Sequence, residues 1–106
     1  MIQVKARRRG GQYISFLSQG HAGFDEEGLD IVCAAVSAFV INTGNSIERF
    51  TSDVLLVEER DGFVSFLFPH GHSRDTKLLM DSLMLGLCGI EETYGKEYIR
   101  VSQRDD

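Results

Sequence analysis

The chain has 106 residues, 42% apolar and 25% charged, which is the composition of one globular domain, residues 1–106, able to bury a single core. Its formal net charge of −5 at pH 7 argues against a general binder of nucleic-acid phosphates, and the one basic run, Lys5, Arg7, Arg8 and Arg9, reads as a solvated strand end. The opening residues lack an apolar stretch of signal-peptide length, and no apolar run approaches the roughly 20 residues of a membrane span, so a cytoplasmic location, no membrane contact and reduced Cys33 and Cys88 are expected.

Residues 2–8 are expected to form a first strand, with Ile2, Val4 and Ala6 on one face. "RGGQ" is a turn signal, and residues 12–18, "QYISFLS", have the character of a second strand, so the two make a hairpin. A glycine-bearing loop, "QGHAGFDEEG", follows. Leu29, Val32, Val36, Phe39, Thr43, Ile47 and Phe50 then recur at spacings of three and four, predicting a helix over about residues 28–49. Asp25, Glu26 and Glu27 stand just before or within its first turn, where carboxylates suit the dipole. "VLLVEERDGFVSFLF", residues 54–68, is a second hairpin around Asp-Gly. Ser73 is a candidate N-cap for a second helix from about Arg74 to Thr93, with Leu78, Leu79, Leu83, Leu87 and Ile90 on its apolar face. "EYIRVSQ" supplies a last strand. The order β-β-α-β-β-α-β implies an α+β domain of two layers: a five-stranded, mostly antiparallel sheet covered by two long helices. Helices that long on so small a sheet leave an apolar face for a second copy of the chain.

On a wheel of 100° per residue, Asp30, Cys33 and Ser37 share one shoulder of the first helix, with only the small Ala34 and Ala38 beyond them. Cys33 lies within about two turns of the helix N-terminus, where the dipole favours thiolate, and His21 at the exit of the second strand can lie over that end. A thiolate–imidazolium pair ionises a thiol at neutral pH. Asp30, or instead Glu26 or Glu27, can orient the imidazole. The competing reading is a loop histidine ahead of a cysteine that packs as a small hydrophobe. Cys88, among Leu83, Leu85, Leu87 and Ile90, is expected in the core. His70 and His72 form an HxH pair that, with His21 and Cys33, would sketch a metal site. The chain has no CxxC, HExxH or phosphate-loop spacing, so neither metal nor cofactor is expected.

"GHAGFDEEGLDIVCAAVSAF" resembles the signature of the ribosomal-processing cysteine protease family (Prp). The matching positions are Gly20, His21, Ala22, Gly28, Asp30, Ile31, Val32, Cys33, Ala34, Ala35 and Ser37. The resemblance implies a bacterial cysteine endopeptidase that removes an N-terminal extension from large-subunit ribosomal protein number twenty-seven. It implies Cys33 as nucleophile, His21 as general base, and Asp30 and Ser37 in supporting roles. It also implies a homodimer, a peptide substrate from the ribosomal protein precursor and no direct contact with nucleic acid.

The loop carrying Gly20, Ala22, Gly23, Phe24 and Gly28 is expected to be mobile and to close His21 onto Cys33 when a peptide binds. Oxyanion donors are expected from backbone N–H groups of residues 20–24 or of the helix start. Asp25, Glu26 and Glu27 flank the cleft and suit a basic peptide. Two other classes use the same residues: a non-catalytic ribosome-assembly or peptide-binding module, and a thiol-dependent acyl transferase or hydrolase acting on a metabolite.

Overall fold

The computed structural model describes residues 1–26 and 29–106. β1 (Ile2–Arg9) and β2 (Gln12–Gln19) form the first hairpin. β1 points Ile2, Val4 and Ala6 into the core by simple alternation. In β2 the alternation slips, and Tyr13 and Phe16 both face inward although three residues apart. A bulge between Arg7 and Arg8 makes this possible, because Arg8 opposes Tyr13 while Arg7 opposes Ser15. β3 (Leu56–Arg60) and β4 (Phe63–Leu67) make the second hairpin, and β5 (Ile99–Asp105) ends the chain's regular structure.

The sheet order is β3-β4-β2-β1-β5, with β1 and β5 parallel and the other three pairings antiparallel. The expected two-layer, mostly antiparallel α+β fold is therefore present. β2-α1-β3 and β4-α2-β5 each join parallel-running strands, which is why each needs a helix as its connection.

α1 (Ile31–Phe50) begins three residues later than the apolar spacing suggested, because Asp30 caps it. Leu29 is therefore outside the helix and 64% exposed. The buried stripe is Val32, Val36, Val40, Thr43 and Ile47. Phe39 and Phe50, expected on that face, are exposed, one turned toward α2 and the other at the helix end. Gly44 lets the helix approach the sheet: a Cβ there would lie 3.1 Å from the Phe66 ring. By length and composition α1 would also serve as a membrane span, against the expectation that no run approaches one. Here its apolar stripe packs into the core instead.

α2 (Arg74–Tyr94) buries Thr76, Met80, Leu83, Met84, Leu87 and Ile90. Leu78 is exposed, and so is Cys88, which corrects its expected place in the core. Cys88 is a single residue past Leu87, so about 100° of helical rotation carries it off the buried stripe. The Phe39 ring reaches α2 over Gly86, where a Cβ would come within 2.7 Å.

Ser73 caps α2, accepting from the Thr76 N–H at 3.3 Å. Asp53 stands behind it and accepts from the Ser73 N–H at 2.9 Å, the Ser73 hydroxyl at 2.7 Å and the Thr76 hydroxyl. His72 is built into the same corner. Its Nε2 accepts from the Tyr13 N–H at 2.8 Å, so its Nδ1 carries the proton and donates to the Ser73 carbonyl at 2.9 Å. Both ring nitrogens are thereby used, and among the described residues no group of three or more His, Cys, Asp or Glu side chains is placed to hold a metal.

Burial alone would raise the Asp53 carboxyl, but the hydrogen bonds from Thr76 and Ser73 outweigh it and hold it below its ordinary 3.8. A depressed carboxyl stabilises the fold above its unfolded value and loses that contribution as pH falls through the folded one. Asp53→Ala should cost about 1–3 kcal/mol at neutral pH. In denaturant titrations the gap between wild type and variant should narrow as pH drops below the ordinary carboxylate range.

Candidate active site

The loop leaving β2 is fastened at successive residues. The Gly20 N–H donates to the Gly62 carbonyl at 2.8 Å, joining the loop to the β3–β4 turn. Gly20 has φ +105°, and a Cβ there would strike the Met1 carbonyl oxygen at 2.5 Å, so only glycine fits. The Met1 amino nitrogen donates to the His21 carbonyl. The Ala22 N–H donates to Cys33 Sγ at 3.2 Å, and the Phe24 N–H to Asp30 Oδ2 at 3.0 Å. The Phe24 ring stands edge-on to Tyr94 and Tyr98, with centroids 5.5 and 5.0 Å away.

Asp30 is buried, and its Oδ1 accepts from the Val32 and Cys33 N–H groups, each at 3.0 Å. Burial alone would raise its carboxyl, but the N–H groups of Cys33, Phe24 and Asp25 hold it below the ordinary value. Cys33 is the third residue of the helix and half-buried. Burial pushes its thiol up. The Ala22 N–H pulls it down, and the neighbouring Asp30 carboxylate raises it further. The resting site therefore favours thiol over thiolate.

Two adjoining cavities open on this thiol. One, of about 610 Å³, runs between α1 and the β3–β4 hairpin, past Cys33, Ser37, Ile41 and Phe63. The other, of about 420 Å³, lies toward the loop, past Gly23, Asp25 and Asp30. His21, Cys33, Ser37 and Asp61 line both. The structure thus brings together His21, Cys33 and Ser37, three of the residues singled out from sequence. Among the described residues no hydrogen bond joins His21 to Cys33. The imidazole rests instead on Gly62, where a Cβ would lie 2.8 Å from its Nε2.

Asp30 corrects its expected place on the helix surface. It precedes the helix as its cap, and its hydrogen bonds go to backbone N–H groups rather than to His21. The helix has no acidic side chain in its first turn. Asp25 and Glu26 are exposed and precede it, and the Asp25 carboxylate accepts from the Glu26 N–H at 2.7 Å. Glu27 and Gly28 lie outside the described residues. Sequence reasoning missed Asp61 and Gly62. Asp-Gly signals a turn, and nothing local signals that this tip meets the loop after β2.

A family model for cysteine protease Prp matches residues 1–100. The chain is 34% identical to the ribosomal processing cysteine protease Prp of Bacillus subtilis over 109 residues, 96% of each chain. It is 28% identical to the Staphylococcus aureus protein of the same name over 96 residues, 89% of this chain and 90% of that one. Among solved structures it is similar to an essential ribosomal processing protease Prp from S. aureus in complex with a covalently linked product peptide. The TM-score is 0.92 at 29% identity, covering 98% of this chain and 100% of that one. A second S. aureus structure, in complex with a substrate peptide, gives a TM-score of 0.85 at 27% identity over the same shares.

The Asp30 carboxylate raises the Cys33 thiol, whereas asparagine keeps an N-cap acceptor without the charge. Asp30→Asn should move the pH midpoint of Cys33 alkylation downward, followed by mass spectrometry of the labelled peptide. Exposed Cys88 serves as the internal reference.

Proposed function

The chain belongs to the Prp family of cysteine proteases, and from that premise we propose that it removes the N-terminal extension of large-subunit ribosomal protein number twenty-seven by a Cys33/His21 mechanism. One observation carries the reading: the Cys33 thiol, near the start of α1, and the His21 imidazole open into the same cavities. The S. aureus relative with a covalently linked product peptide supports a route through a covalent peptide–enzyme species.

In this mechanism His21 takes the proton from Cys33 Sγ, and the thiolate forms a bond to the scissile carbonyl carbon. The tetrahedral species collapses with cleavage of the C–N bond, and His21 gives its proton to the leaving amine. The acyl-enzyme is then hydrolysed by a water that His21 deprotonates. Because burial raises the resting thiol, the imidazole has to exchange Gly62 for Sγ before the first step. Rotation of the His21 side chain on peptide binding, within the loop bearing Gly20, Ala22, Gly23 and Phe24, performs that exchange while the loop backbone keeps its bonds to Gly62, Sγ and Asp30. Asp30 supports the site by holding the loop on the helix end. Ser37 supports it from one helical turn beyond Cys33. Asp25 and Glu26 attract a basic peptide segment, and the reaction takes place in the cytoplasm.

A homodimer completes the proposal. Phe39, Leu78 and Leu85 leave exposed apolar surface on the two helices, and Leu85 is 76% exposed. Leu85→Glu should shift the sedimentation coefficient from dimer to monomer. In the cleavage assay with a ribosomal protein precursor, Cys33→Ala should abolish product and His21→Ala should slow it by about 10²–10⁴. Full cleavage by Cys33→Ala would overturn the assignment.

A further inference from the structure

The tetrahedral species of an acyl transfer needs donors for its oxyanion, and the N–H groups around Cys33 can be assigned one at a time. The Val32 and Cys33 N–H groups both go to Asp30 Oδ1 at 3.0 Å. The Ala34 N–H goes to the Asp30 carbonyl at 3.0 Å. Asp30 thus occupies these N–H groups of the helix start with both its side chain and its backbone. The Ala22 N–H is placed differently. It donates to Sγ itself at 3.2 Å, from a buried residue fixed between the His21 carbonyl bond to Met1 and the Phe24 bond to Asp30.

We propose that the backbone N–H of Ala22 is the oxyanion donor of this site. The inference rests on the reading of Cys33 as nucleophile. When Sγ bonds to the scissile carbon, the C=O π pair moves onto oxygen, which is then held two bonds from the sulfur. A donor already within hydrogen-bond distance of Sγ reaches that oxygen with a small shift. The Ala22 N–H neither gains nor loses a proton. It transfers its hydrogen bond from sulfur, whose charge falls on attack, to oxygen, whose charge rises. Collapse restores the carbonyl and expels the amine with the proton carried by His21. Because the donor is backbone, the identity of the side chain at 22 matters only for burial. The loop therefore contributes two different groups from adjacent residues, an imidazole from His21 and an amide from Ala22.

The test replaces Ala22 by lactic acid, which turns the N–H into an ester oxygen and leaves the methyl group. Cleavage and affinity for a peptide aldehyde should both fall by about 10²–10³. Alkylation of Cys33 by iodoacetamide at a pH where the thiol is fully ionised creates no oxyanion, so it should change far less. Cleavage and aldehyde affinity within about twofold of wild type, or an equal fall in alkylation, would overturn the proposal. Independently of any variant, the Ala22 amide proton of the wild-type protein should move downfield in NMR spectra when a peptide aldehyde forms its adduct on Cys33. An unmoved resonance would also overturn it. Cleavage that survives Cys33→Ala would instead remove the nucleophile reading on which the proposal stands.

Discussion

The site depends on one carboxylate. Asp30 Oδ1 starts α1 by taking the Val32 and Cys33 N–H groups, and Oδ2 takes the Phe24 N–H from the preceding loop. An N-cap bond is worth about 1 kcal/mol, and hydrogen bonds to a charged acceptor about 1.5–3. One side chain therefore fixes where the helix begins, where along it Cys33 falls and how the loop sits above the thiol. That same charge lies beside the sulfur and opposes its ionisation. Structural order and chemical reactivity are in tension at this residue. The tension is bearable if the base that ionises the thiol arrives as the imidazole and becomes the compensating cation on taking the proton, which is the order of events in the proposed mechanism.

The sheet topology supplies the rest of the site. Because β2-α1-β3 is a crossover, the end of β2 and the start of α1 lie at the same edge of the domain. The chain then returns through the second hairpin, and β4 pairs with β2 from Ser15 to Gln19. Phe63 opposes Gln19, which puts Gly62 beside Gly20. The start of β1 reaches the same place through Met1. Three segments far apart in sequence meet over one helix end. Gly20 is needed because the Met1 carbonyl passes too close for a Cβ, whereas Gly62 is favoured by its φ of +68° in the turn and leaves room for the His21 ring. Packing of remote strands thus positions the histidine, while the local cap positions the cysteine.

That division explains what could be read from sequence. Element order, both hairpin turns, the Ser73 cap and the two helices follow from local periodicity and turn chemistry, and they were legible. The start of α1 was not, because Leu29 continues the apolar spacing while Asp30 overrides it by capping. The bulge opposite Tyr13 was hidden as well: only pairing with β1 shows why residues 13 and 16 share a face. The leucines around Cys88 point to the core, but helical phase one residue past Leu87 turns it outward. At the site, His21, Cys33 and Ser37 were legible as a motif. Asp61 and Gly62 were not, since a two-residue turn carries no record of what it packs against.

The proposed donor follows from the same cap. A cysteine near a helix start has nearby amides that can serve an oxyanion, and the simplest expectation assigns them that task. Here Asp30 occupies the Val32, Cys33 and Ala34 N–H groups with its side chain and its own carbonyl. Freeing one for catalysis would unfasten the helix that holds the nucleophile. The loop amide carries no such duty: its acceptor at rest is the sulfur itself. A hydrogen bond to a half-buried thiol is a weak acceptor contact, so little is lost when the donor turns to an oxyanion. Stability and transition-state stabilisation are then carried by different amides, and a reactive group can sit at a helix start whose Val32, Cys33 and Ala34 amides are already taken.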